Sequence, residues 1–128
     1  MNMYTEKGLI REWKQKYIKT PNIVSIAFGY KELAINNGWR MGYTQCRIAS
    51  TAGNLKWIEG TIWLDSGCLK CPDIFRDAVL WHEFCHVWDA TEKLHVDHCT
   101  GFYRKLFKKP VYAICDILLK FIGWIWFD

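Results

Sequence analysis

Residues 78–89, AVLWHEFCHVWD, set two histidines and a glutamate inside a run that is otherwise almost wholly apolar. Any fold this chain adopts has to cover that run, because Val79, Leu80, Trp81, Phe84, Val87 and Trp88 would leave a helix little wet surface. On a helix, residues four apart stand about 40° from one another, so His82 and His86 project from one face. Glu83 is turned about 100° away from His82. Burying two imidazoles and a carboxylate among apolar groups is costly unless something compensates them. A metal ion does so, and two neutral imidazoles suit zinc. Glu83 is too far around the axis to share the ion easily, but it can reach a water held there, the place of a general base in metal-assisted hydrolysis. If the three were merely surface residues or singly satisfied core residues, charged neighbours would be expected at the other exposed positions of the helix.

Length and composition bound the rest. A chain of 128 residues is the size of one ordinary domain. An apolar fraction of 51 % with eight tryptophans supplies a core and excludes a disordered composition. The formal charge of +4 is spread through REWKQKYIK and YRKLFKK, which reads as solvated helix faces rather than a nucleic-acid tract. The stretch MNMYTEKGLIREWKQKY holds no apolar signal segment, so a cytoplasmic chain with reduced cysteines is expected. Cys68 and Cys71, in SGCLKCP, have the spacing of half a zinc knuckle or of a redox pair. No second pair completes a structural site, and a loop ahead of a helix is the simpler reading.

Leu9, Ile10, Trp13 and Tyr17 recur at helical spacing and predict a helix over 4–19, ended by Pro21. From NIVSIAFGY to GTIWLDS the chain is rich in β-branched and aromatic residues, interrupted by Asn37-Gly38 and Ala52-Gly53-Asn54. This predicts three strands near 23–28, 40–49 and 56–65 in a small, mostly antiparallel sheet. Pro72 in the first turn and Asp73 as cap begin a helix over about 73–90. A polar loop, DATEKLHVDHCTG, leads to a further helix from about Gly101, with Phe102, Leu106 and Phe107 on its buried side, broken by Pro110. The fold class is α+β. In the last segment, VYAICDILLKFIGWIWFD, Asp116 and Lys120 share one helical face. A C-terminal helix over 110–128 is expected, set apart from a domain over 1–109. It should be buried on most of its circumference against that domain or a partner, with Asp116 and Lys120 as its one wet side. The run is short and charged for a spanning helix, although its Trp and Phe content over 111–127 also suits a membrane surface.

The stretch VLWHEFCHVW is similar to the His-Glu-x-x-His signature of zincin metallopeptidases, uncharged within and hydrophobic around. Metzincins have Gly and His where Asp89 and Glu92 stand here, and gluzincins need a later Glu, yet none follows Glu92. The stretch LHVDHCTGFYRKLF resembles the SprT-like family, which includes the Spartan-type proteases and smaller bacterial and phage relatives. In that family a third His follows a variable loop, and an aromatic residue comes four positions later. RMGYTQCRIASTAGN and GTIWLDSGCLK are similar to its glycine-containing strands and to the strand before its active-site helix, with Ile62, Leu64 and Asp65 in place. The resemblance covers about 5–108 and is specific over 79–107. The apolar tail has no counterpart in the family, and these 128 residues do not include the zinc-ribbon extension of many members.

The resemblance implies a small zincin-like domain, a zinc metallopeptidase in which one Zn2+ ion is held by His82, His86 and His98. Phe102 would be the family's aromatic residue, and Glu83 the general base in hydrolysis of a protein or peptide substrate. His95, three residues before His98, competes for the third place. Asp89 is a candidate partner for a ligand imidazole or a solvated position, while Tyr103, Arg104 and His95 are candidate oxyanion donors. The strand over 58–65, with Ile62, Trp63 and Leu64, is expected to be the edge on which an extended substrate pairs. The family also implies DNA-associated protein substrates, with which YRKLFKK is compatible. The rival is a non-catalytic zinc-binding interaction module docking through the Trp-rich tail, in which Glu83 would have no task.

Overall fold

The computed structural model describes residues 6–33 and 40–121. In chain order these form α1 (Glu6–Tyr17), β1 (Ile23–Lys31), β2 (Gly42–Thr51), β3 (Asn54–Asp65), a 3-10 turn at Ser66–Lys70, α2 (Asp73–Lys93), α3 (Thr100–Leu106) and α4 (Pro110–Phe121). The class is α+β. The Asn37-Gly38 turn signal and the tail after Phe121 lie outside the described residues.

β2 and β3 form a hairpin whose two turn residues, Ala52 and Gly53, take φ of 52° and 79°. Two left-handed residues give the turn a twist that matches the strands it joins. The sheet as a whole is mixed rather than mostly antiparallel: its order is β1-β3-β2, and β1 runs parallel to β3. Turn chemistry specifies only the local hairpin, whereas the partner of β1 is set by burial. Ile58, Ile62 and Leu64 of β3 are fully buried, and a strand with so continuous an apolar face gains most from the centre of the sheet.

α2 lies against β2 and β3 on one side and carries α3 and α4 on another. Every residue from Ala78 through Val87 is buried, so the helix needs no single apolar stripe. Two glycines set its distance from the sheet. A Cβ on Gly60 would meet Val87 at 2.8 Å, and one on Gly42 would meet Val79 at 2.8 Å. Trp13 of α1 packs edge-on against Trp81 and Phe84, with centroids 5.0 and 5.7 Å away. Asp73 does not cap α2: Pro72 occupies that position without a side-chain bond, and Asp73, inside the helix, pairs with Arg76 at 3.3 Å. Cys68 and Cys71 sit in and just after the 3-10 turn, and all six cysteines are free thiols.

α3 buries Phe102 and Leu106 as expected, but Phe107 is exposed. α4 departs further from expectation. Only Ala113, Cys115, Asp116 and Leu119 are buried, while Val111, Ile114, Ile117, Leu118 and Phe121 face outward. The stripe expected to be wet is inside: Asp116 is 1 % exposed, and Lys120 reaches its Oδ2 at 3.6 Å. Among the described residues no helix is long and apolar enough to cross a membrane.

Candidate metal centre

Three imidazoles converge beside α2. His82 and His86 come from successive turns of the helix, and His98 comes from the segment between α2 and α3. That segment turns back at Leu94, a left-handed residue with φ of 66° whose N–H donates to the Ala90 carbonyl. Nε2 of His98 lies 3.2 Å from Nε2 of His82 and 3.1 Å from Nε2 of His86. Zinc–nitrogen bonds of about 2.0–2.1 Å in a tetrahedron put the nitrogens about 3.3–3.4 Å apart. Both separations from His98 are close to that spacing, and the three rings offer ligand atoms within 4.8 Å of one another, so the group could hold one ion. A purely hydrogen-bonded trio is a poorer fit, since a neutral ring nitrogen either donates or accepts. Phe102 backs the cluster, its ring centroid 4.3 Å from that of His86 and 4.8 Å from that of His82.

His95 is not part of this cluster. It is exposed, with Nε2 2.6 Å from Asp97 Oδ2 and Nδ1 2.9 Å from the Lys93 carbonyl. The Asp97 hydrogen bond raises its pKa. Of the two histidines that compete in sequence for the third position, only His98 reaches the other two.

The far nitrogen of His82 meets a residue for which the sequence suggested a different role. Nδ1 lies 3.1 Å from Asp116 Oδ1, with both side chains buried. This contact explains why the polar stripe of α4 faces inward. A carboxylate on Nδ1 favours the tautomer with the proton there and leaves the Nε2 lone pair aimed at the centre. Burial pushes the Asp116 carboxyl up to about 6, while Lys120, His98 and His86 pull it down. Removing such a partner lowers metal affinity about 10–100-fold. Asp116→Ala should show that loss in a chelator competition assay.

Asp89, the earlier candidate for this role, points elsewhere. It is buried and accepts from Lys105 Nζ at 2.9 Å and from Cys99 Sγ at 3.4 Å. Asp89, Asp97 and Cys99 also draw close together. Lys105 on Asp89 and Lys93 on Cys99 already bring two ammonium groups to that cluster, which disfavours a further cation. Lys105 is thus an interior residue and no part of a surface basic patch.

Glu83 turns toward the sheet. It is fully buried, and its Oε1 accepts from the Thr44 hydroxyl of β2 at 2.7 Å. Gly42 completes the seat, since a Cβ there would stand 2.7 Å from Glu83 Oε2. Gly42 falls in the stretch that resembles the SprT-like family's glycine-containing strands, but nothing in the sequence ties it or Thr44 to Glu83, and only the pairing of β2 with β3 brings them to α2. Gly42→Ala is expected to displace the carboxylate and to destabilise the fold by about 1–3 kcal/mol through overpacking. Thermal unfolding should show a drop in Tm of several degrees.

Tyr43, Thr44, His86, Val96, Asp97 and His98 line an open cleft at the centre. Tyr103 lies close by, its ring 6.3 Å from that of His98 and stacked on Phe102, and burial raises its pKa. Arg104 is exposed. The segment 58–65 does not form an edge. Ile62 and Leu64 are buried, Lys31 Nζ lies 4.6 Å from the centre of the Trp63 ring, and β3 is bonded to a strand on each side. The edge near the cleft is β2. The Asp65 N–H donates to the Met41 carbonyl at 2.8 Å, which fixes the alternation. The backbone groups of Gly42, Thr44 and Cys46 therefore point away from β3. Among the described residues no strand pairs with that side.

Comparison of the chain with protein-family models, curated proteins and solved structures finds no match.

Proposed function

We propose that this protein is a zinc metallopeptidase, a zincin of the SprT-like kind, with Glu83 as general base. One observation carries the reading: Nε2 of His98 lies at ligand spacing from those of His82 and His86, and the cleft lined by His86 and His98 is also lined by Thr44, whose hydroxyl donates to the buried Glu83 carboxylate. Zinc held by His82, His86 and His98 would supply a Lewis acid for the substrate carbonyl and acidify a water molecule. The chain's own groups do the rest. Asp116 keeps the His82 ring oriented, and Phe102 shields the cluster. Glu83 takes the proton of the attacking water and passes it to the leaving amine. Thr44 holds one oxygen of that carboxylate so that it does not rotate away. Tyr103, whose ring lies 6.3 Å from that of His98, is the candidate to hydrogen-bond the developing oxyanion.

An extended peptide would add to the sheet at β2, along Gly42–Cys46, and so run past His86 and His98. Pairing of this kind reads backbone rather than side chains and gives broad specificity. A DNA-associated substrate has little support, because Lys105 is interior and only Arg104, Lys108 and Lys109 of the basic run remain near the surface.

The rival, a zinc-binding module without catalysis, shares the three histidines but gives Glu83 and the free edge no task. Casein cleavage by the zinc-loaded protein separates the two. Zinc bound without cleavage of casein or of varied unfolded proteins would favour the rival.

A further inference from the structure

We propose that the outer face of α4 docks on an anionic lipid surface. Val111, Ile114, Ile117, Leu118 and Phe121 are 65, 53, 47, 55 and 89 % exposed, and their spacing places them on one side of the helix. Among the described residues no hydrophobic core cluster includes any of them. The chain that forms and leads into this helix is predominantly basic, while the carboxylates of Asp77 and Glu12 act on Tyr112, which is not among the five outward residues. From Cys99 to Phe127 the sequence holds a single acidic residue, Asp116, which is buried against His82. Arg104 and Lys108 are exposed just ahead of the helix.

An apolar face on a helix that exposed cations precede in the chain complements acyl chains beneath anionic headgroups. The sequence continues from Phe121 as IGWIWFD, and tryptophan concentrates at membrane–water interfaces. A second copy of this chain fits less well, because a two-fold contact sets the same patch, with its cations, against itself. α4 has 12 residues, about 18 Å of helix, so it lies along the surface rather than through it. The inner face of the same helix carries Asp116 to His82, which would hold the metal centre about one helix diameter, roughly 10 Å, from the lipid.

Co-sedimentation of the full, zinc-loaded chain with vesicles tests this, using phosphatidylcholine alone and phosphatidylcholine mixed with phosphatidylglycerol. The protein should bind the anionic vesicles and bind the neutral ones much more weakly. Ile114→Glu with Leu118→Glu should reduce anionic binding at least about tenfold, since it puts two charges into the apolar interface, and should leave Tm unchanged. Arg104→Ala with Lys108→Ala should reduce binding about fivefold per residue. Three results would overturn the proposal: no anionic binding by the wild type, equal binding by the Ile114/Leu118 variant, or a concentration-dependent dimer that this variant abolishes. None of these readouts uses hydrolysis, so the outcome stands apart from the peptidase reading.

Discussion

Glu83→Gln is expected to keep zinc bound and to lower peptide hydrolysis by about a hundred- to ten-thousandfold. The amide has nearly the shape of the carboxylate, and its carbonyl can still accept from the Thr44 hydroxyl, now 2.7 Å from Oε1. What disappears is a basic oxygen able to take a proton. The three imidazole nitrogens are untouched, so metal content should not fall. Stability should hold or rise slightly, because a buried charge has been replaced by a neutral group. Metal analysis, thermal unfolding and casein cleavage on the same sample separate these effects. A variant that cleaves as fast as the wild type would remove Glu83 from the mechanism. A variant that loses zinc would mean the carboxylate supports the metal site rather than the reaction.

The second large effect concerns the third ligand. A four-ligand structural zinc site contributes roughly 10–16 kcal/mol, or about 3 kcal/mol per ligand. His98→Ala should therefore weaken zinc binding by roughly a hundred- to two-hundredfold. His95→Ala should leave it unchanged, since that ring is bonded to Asp97 and Lys93. Stability should follow occupancy: at a zinc concentration 100 times Kd the bound ion adds about 2.7 kcal/mol, and a chelator should lower the Tm of the wild type accordingly. The His98→Ala protein should show a much smaller chelator response at the same zinc concentration. Equal zinc affinity in the wild type and the His98 variant would break the three-histidine reading, and with it the peptidase proposal.

Much of the local structure was legible in the sequence. The run from Ala78 to Asp89 can be recognised as a buried helix from its flanks alone. Ala52-Gly53 announces a tight hairpin, and α1 shows itself through Leu9, Ile10 and Trp13. Each of these signals acts within a turn or two of chain, where backbone preference and side-chain period decide the outcome. The same holds for the pairing of His82 with His86, which needs only the pitch of a helix.

Where the sequence misled, the deciding contact was distant. The strand before α2 reads as an edge, yet the residues of the hairpin do not say which of its strands β1 will join, and burial of Ile58, Ile62 and Leu64 puts β3 in the centre. Lys105 reads as part of a basic surface run until Asp89, sixteen residues earlier, is found bonded to it. Asp116 and Lys120 read as the wet side of a helix, because polar groups on an apolar helix usually face water. A buried imidazole reverses that preference: an aspartate 34 residues from His82 meets its Nδ1, and the apolar side of α4 is turned outward instead.

The sequence by itself determined that this chain is α+β, that residues 78–89 form a helix which has to be covered, and that His82, Glu83 and His86 lie where one ion and one base could work. The tertiary structure decided that His98 rather than His95 completes the cluster, that Thr44 and Gly42 seat the carboxylate, that β2 is the open edge and that Asp116 faces inward. The division follows from range. Helical pitch and turn geometry are fixed by bonded neighbours, whereas the choice among distant partners is settled only when burial makes each polar group find one.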